Sequence, residues 1–113
     1  MATKNRFPSI KRGATFNGRD MKIYNGVGDN KVPMDLTGVL IELYFKVFPE
    51  NFVSPVIFKF STADGSIVIT GTGIARMMPR LMKYPKAIYI TDPTLTFPNG
   101  TVKPWCQVLW EIN

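Results

Sequence analysis

At 113 residues, with 45% apolar and 19% charged residues, the chain has the size and composition of one globular domain that buries a core without disulfides or metal. Its single cysteine, Cys106, cannot close an internal disulfide, and the lack of histidine removes the common zinc spacings and histidine-dependent triads, so an enzyme is not expected. A net charge of +6 points to nucleic acid, an anionic membrane or an acidic protein surface as partner, without choosing among them.

Residues 1–13 show no periodicity, and Pro8 and Gly13 act as breakers; they are expected to form an extended basic arm ahead of a single domain at 14–113. Between Met1 and Lys22 stand Lys4, Arg6, Lys11, Arg12, Arg19 and Lys22 against Asp20 alone, so the arm region holds much of the excess charge. No apolar run reaches the length of a signal-peptide core or the roughly 18 residues of a membrane span, so synthesis in the cytoplasm and no membrane partner are expected. A first strand is expected from Ala14 to Tyr24, broken at Asn17-Gly18 by a bulge or bend, and then a turn-rich loop from Asn25 to Gly38. Within that loop, Asp35-Leu36-Thr37-Gly38 reads as a turn rather than a ligand loop, because Asp and Thr side chains bond nearby backbone.

The clearest strand is Gly38 to Phe48. Val39, Ile41, Leu43, Phe45 and Val47 fall on one face, which is core; Leu40, Glu42, Tyr44, Lys46 and Phe48 form a half-apolar second face that the arm or another subunit should partly cover. After a loop at residues 49–55, Val56 to Ser61 reads as a strand, and Asp64-Gly65 is expected to close a hairpin onto Ile67 and Ile69. Arg76, Arg80, Lys83 and Lys86 then accumulate with no acid between Asp64 and Asp92. Pro79 suits the first position of a short helical turn near residues 79–84, which Pro85 limits. Ala87 to Thr91, running on toward Phe97, and Thr101 to Ile112 supply the last strands, joined by an Asn99-Gly100 hairpin. Seven or so short strands at these spacings indicate an all-β sandwich or small barrel.

Several of these pieces form a recognisable set: RGATF (Arg12 to Phe16), VPMDLTG (Val32 to Gly38), PVIFKFSTADGSI (Pro55 to Ile67), Pro79 with the later Tyr84-Pro85, YITD (Tyr89 to Asp92) and FPNGTV (Phe97 to Val102). Their order over Arg12 to Ile112 resembles small bacteriophage and prophage virion proteins, in particular the immunoglobulin-like domain at the N-terminus of baseplate upper proteins and related tail components. The pattern departs at Thr91, where an aromatic is usual before Asp92, and at Pro93, which lacks a ladder donor and disturbs the strand.

The resemblance implies an immunoglobulin-like antiparallel β-sandwich that acts without catalysis as a baseplate or tail adaptor in the virion. It would assemble in a symmetric, multi-copy particle through contacts with other virion structural proteins and attach or space further components. Capsid decoration or head-fibre anchoring is the alternative position. A small nucleic-acid-binding β-barrel is a further alternative, favoured by the charge and by aromatics such as Tyr44 or Trp105; its basic residues, however, lie in the arm and the 76–86 corner instead of along one sheet.

Catalytic, cofactor-binding and metal-binding residues are expected to be none, with no cofactor and no small-molecule substrate, since eight scattered carboxylates offer no acid/base pair. The expected partner-binding residues are Lys4, Arg6, Phe7, Ile10, Lys11 and Arg12 in the arm, Tyr44 on the second strand face, Arg76, Arg80, Met82 and Lys83 at the basic corner, and Trp105. Phe7 and Ile10 give the arm something to pack against protein, whereas a solvated tail or a nucleic-acid contact are the other readings. Met77, Met78 and Met82 suit either an adaptable partner surface or core filling. Trp105 and Trp110, five residues apart, should point to opposite faces: Trp110 with Val108 and Ile112 into the core and Trp105 at the rim, unless a bulge near Pro104 buries both. Cys106 reads as a small buried hydrophobe. On this reading the sandwich is a rigid wedge and the arm orders only against a neighbour, so removing residues 1–12 should leave the fold intact and abolish incorporation.

Overall fold

The computed structural model describes residues 5–26, 29, 31–49 and 54–113. Lys4, with the rest of residues 1–4, lies outside the described residues, as do parts of the loops expected at 25–38 and 49–55. The fold is an all-β sandwich built of short strands, most of them antiparallel.

The N-terminal half supplies β1 (Asn5–Arg6), β2 (Thr15–Phe16), β3 (Arg19–Lys22), β4 (Tyr24–Asn25), β5 (Val32–Pro33), β6 (Leu40–Val47) and β7 (Phe58–Ser61). The C-terminal half supplies β8 (Ile67–Gly71), β9 (Ile74–Met77), β10 (Arg80–Leu81), β11 (Ala87–Thr91), β12 (Thr94–Thr96), β13 (Val102–Pro104) and β14 (Val108–Ile112). In the larger sheet β14, β11, β6 and β7 lie side by side, with β1 parallel on the outside of β14. The pair β12–β13 continues the β11 and β14 tracks along β6 past a break at Asp92-Pro93, as the missing proline donor requires. The smaller sheet is β3–β9–β8, prolonged by the β2–β10 pair, and β4–β5 forms a short ribbon beside it.

The period of two in β6 sends Ile41, Leu43 and Phe45 inward, at most 1% exposed, to meet Met21, Ile67, Ala75 and Met77 of the smaller sheet. Trp110 is the hub. Its ring has the rings of Phe16, Phe7 and Phe45 around it at 4.9, 5.3 and 5.6 Å, largely edge-on, and its indole N–H donates to the Pro8 carbonyl at 3.1 Å. Trp105 is half-buried at the rim while Trp110 is core. The strand expected from Thr101 to Ile112 is broken at 105–107, however, so Trp105 lies outside a strand and alternation does not set its placement. Cys106, expected buried, is half-buried.

Three sequence expectations are corrected here. The segment after Met1 to Lys4 is part of the sandwich: Phe7 N–H donates to Leu109 O at 2.9 Å, Ile10 N–H to Glu111 O at 3.0 Å, and Arg12 N–H to Asn113 O at 2.8 Å. Phe7 and Ile10 had no strand period to announce them, yet Phe7 is 8% exposed and fills the core beside Trp110. Secondly, no helical turn forms after Pro79. Arg80–Leu81 is extended against Thr15–Phe16, and Met82 exchanges backbone bonds with Gly13 and Ala14 at 2.7 and 3.0 Å, which buries the Met82 side chain completely. An isolated turn fixes several residues for a single bond, so the ladder wins.

Thirdly, Asp64-Gly65 does not close a hairpin. Strand β7 pairs with β6 and β8 with β9, so this turn carries the chain from one sheet to the other. Gly65 takes φ +80°, the Asp64 carboxylate accepts the Ser66 N–H at 2.9 Å, and Ser66 Oγ receives the Ser61 N–H at 2.8 Å. Among the described residues only glycines have positive φ, which rules out a type I′ turn at Asp64. The Asn99-Gly100 hairpin does form, joining β12 to β13 with Gly100 N–H donating to Phe97 O at 2.8 Å.

Candidate interaction surfaces

The outward residues of β6 meet those of β11: Lys46 stands opposite Ile90, and Phe48 N–H donates to Ile88 O at 2.8 Å. Tyr44, Lys46, Val56, Ile90 and Asp92 line a shallow hollow of about 310 Å³ on this face. Tyr44 and Val56 remain 37% and 45% exposed at its wall, and Ile88 and Phe48, further along the β6–β11 ladder, 37% and 39%. Scattered exposed apolar residues are ordinary on a protein surface; a contiguous set across adjacent strands is the pattern of a contact site. The Tyr44 hydroxyl donates to the Glu42 carboxylate, and this bond, followed by partial burial, raises the Tyr44 pKa above its ordinary value, so the ring is held and neutral in the physiological range.

A second surface lies at the end of the sandwich where the Lys11–Ala14 corner joins the 82–87 segment. The Gly13 and Met82 backbone bond brings Lys11, Arg12 and Lys83 to this end, all exposed, with Lys86 nearby in sequence. Two of the expected contact residues are engaged within the domain. Arg80 lays its guanidinium 3.8 Å over the Phe60 ring and donates to Lys59 O at 2.7 Å. Arg76 pairs with Asp20 at 3.1 Å across the β3–β9 ladder and donates to Asn17 O at 3.3 Å.

Of the expected partner-binding set, the structure therefore puts Tyr44 on one surface and Lys11, Arg12 and Lys83 on another, with Arg6 and Trp105 together on a third flank. Phe7 and Met82 are corrected to core residues, and Ile10 is half-buried in a parallel bridge to Ile112. Phe48 belongs to the second face read from the alternation, whereas Ile88 and Val56 are not singled out by the sequence. The available signal was the run Ile88-Tyr89-Ile90, apolar at every position, which marks a strand with two apolar faces.

The DLTG segment forms a turn. Asp35 accepts Thr37 N–H at 3.0 Å and Thr37 Oγ1–H at 2.8 Å, contacts that hold its carboxyl pKa below the ordinary value, the hydroxyl contributing most. Among the described residues no three His, Cys, Asp or Glu side chains are grouped to hold a metal ion, and no helix is long and apolar enough to cross a membrane. No protein family, curated protein or solved structure matches the chain.

Proposed function

We propose that this protein is a bacteriophage virion structural component, a baseplate or tail adaptor that assembles through protein–protein contacts and positions other components. The observation that carries this reading is the set of exposed apolar side chains Tyr44, Val56 and Ile88, standing around Lys46 and Asp92 on the outer face of a sheet whose inner residues Ile41, Leu43 and Phe45 are buried. Large apolar side chains left exposed among the charged residues of an outer sheet face are the form expected of a domain that packs against neighbours, because an antiparallel sheet facing only water places polar residues there. The ordered sequence motifs, which resemble those of tail-component sandwich domains, direct the proposal to a virion. The basic end formed by Lys11, Arg12 and Lys83 supplies an electrostatic contact for orientation, subordinate to the apolar patch.

Gold-labelled antibody imaging of intact particles from the producing host, with ruptured particles as control, tests the proposal. Label at the tail tip is the expected result. Label over the head transfers the role to capsid decoration or fibre anchoring, and particles without label overturn the virion assignment.

A further inference from the structure

Both sheets end in open strands on each flank of the sandwich; on the flank of the N-terminal segment, among the described residues, β1 is bonded to β14 alone and β3 to β9 alone. Between these edges lie two hollows, of about 270 and 230 Å³, that share Phe7 and Arg19. The Arg19 guanidinium sits 4.7 Å from the centre of the Phe7 ring and forms the saddle between them. The first hollow is bounded by Arg6 and Lys22 with Trp105 as a wall; the second lies over Phe16 and Trp110. Arg6, Arg19 and Lys22 are exposed; of the acids here, Asp20 lines the first hollow and is paired with Arg76, and Glu111 accepts from Ser9 Oγ at the rim of the second at 3.1 Å. The groove thus presents an excess of positive charge, with an apolar floor under the second hollow, between two strand edges.

We infer that this groove receives an extended, acidic segment of a partner protein. Its carboxylates would pair with Arg6, Arg19 and Lys22, its alternate side chains would enter the two hollows, and its main chain would bond to the free edge of β3. Hollows of this size each hold about one or two side chains, which suits a strand with period two. Single-stranded nucleic acid needs a row of exposed rings for base stacking, whereas here Phe7 is 8% and Trp110 1% exposed and Phe16 and Trp105 are half-buried in separate hollows. The inference rests on this flank and not on the virion assignment, so either stands if the other fails.

The test uses fluorescence anisotropy with the full chain and three probes: a labelled decapeptide of alternating glutamate and valine, its lysine–valine counterpart, and an oligothymidine. The glutamate peptide should bind, the lysine peptide should not, and Arg19→Glu with Lys22→Glu should weaken binding at least about tenfold. Lys83→Glu with Lys86→Glu, at the other basic surface, should leave binding unchanged. Arg6→Glu alone serves as a second variant, should the pair at Arg19 and Lys22 lower the melting temperature. No binding by about 1 mM glutamate peptide, or equal loss in the Lys83 and Lys86 variant, overturns the inference. So does preferential binding of the oligothymidine that depends on Arg19 and Lys22, which would make the groove a nucleic-acid site.

Discussion

Strand β6 carries an apolar face and a half-apolar face with opposite fates. Inward, Ile41, Leu43 and Phe45 are sealed by the second sheet and by the aromatic cluster around Trp110; outward, Tyr44, like Ile88 and Val56, stays partly exposed among the described residues. Residue character separates the two faces in part, since Glu42 and Lys46 stand only on the outer one; the aromatic and aliphatic side chains found on both differ in whether the chain returns to cover them. The N-terminal segment returns to the inner face, where Phe7 and the Pro8 carbonyl complete the surroundings of Trp110. Nothing among the described residues does the same outside.

Removing residues 1–12 breaks the inner side of this comparison most severely. The loss of buried Phe7 alone is worth about 3–5 kcal/mol, and Trp110 loses its hydrogen-bond acceptor, so the truncated chain should show no cooperative melting transition by calorimetry. A truncated protein that melts like the intact one would mean that the segment is the dispensable arm expected from sequence. A smaller effect sharpens the same face. Thr91 is 1% exposed and its hydroxyl oxygen has no partner among the described residues, so Thr91→Val should raise stability by about 1 kcal/mol in urea denaturation.

The smallest expected effect belongs to the turns, outside both faces. The carboxyls of Asp35 and Asp64 are held below the usual range, chiefly by the hydroxyls of Thr37 and Ser66 respectively. Because the folded pKa values lie under the unfolded ones, the stabilisation is present above about pH 4 and fades as pH falls through the folded values. Asp35→Asn combined with Asp64→Asn should therefore shrink the fall in melting temperature between about pH 5 and pH 3 relative to the parent.

Sequence patterning revealed the elements whose evidence is local. The alternation in β6, the Asp35–Gly38 turn and the Asn99-Gly100 hairpin all follow from period and side-chain chemistry within a few residues. Where the deciding partner lies far away in sequence, the local signal misled. Asp64-Gly65 has hairpin chemistry, but β7 finds β6 and β8 finds β9, so the same turn becomes a corner between sheets. Pro79 suits a helix start, yet Thr15 and Phe16 offered a ladder some 65 residues away in sequence. Phe7 and Ile10 have no neighbours in period with them and belong to the fold only through β14 at the other terminus. The outer patch was half legible: Tyr44 stood out from the β6 alternation, but Ile88 and Val56 join it only through the β6–β11 ladder and the course of the chain into β7.

The outer face is the central claim, and one paired measurement on Tyr44→Glu with Ile88→Glu tests it most directly: melting temperature of the isolated protein alongside the amount that co-sediments with particles. Each side chain is nearly two-thirds covered, Tyr44 loses its bond to Glu42, and Ile88→Glu faces Glu111. Stability should therefore fall by about 1–2 kcal/mol per site with a cooperative melt retained, while co-sedimentation falls to background. Full co-sedimentation of the folded double variant would contradict the assignment of this patch as the docking surface.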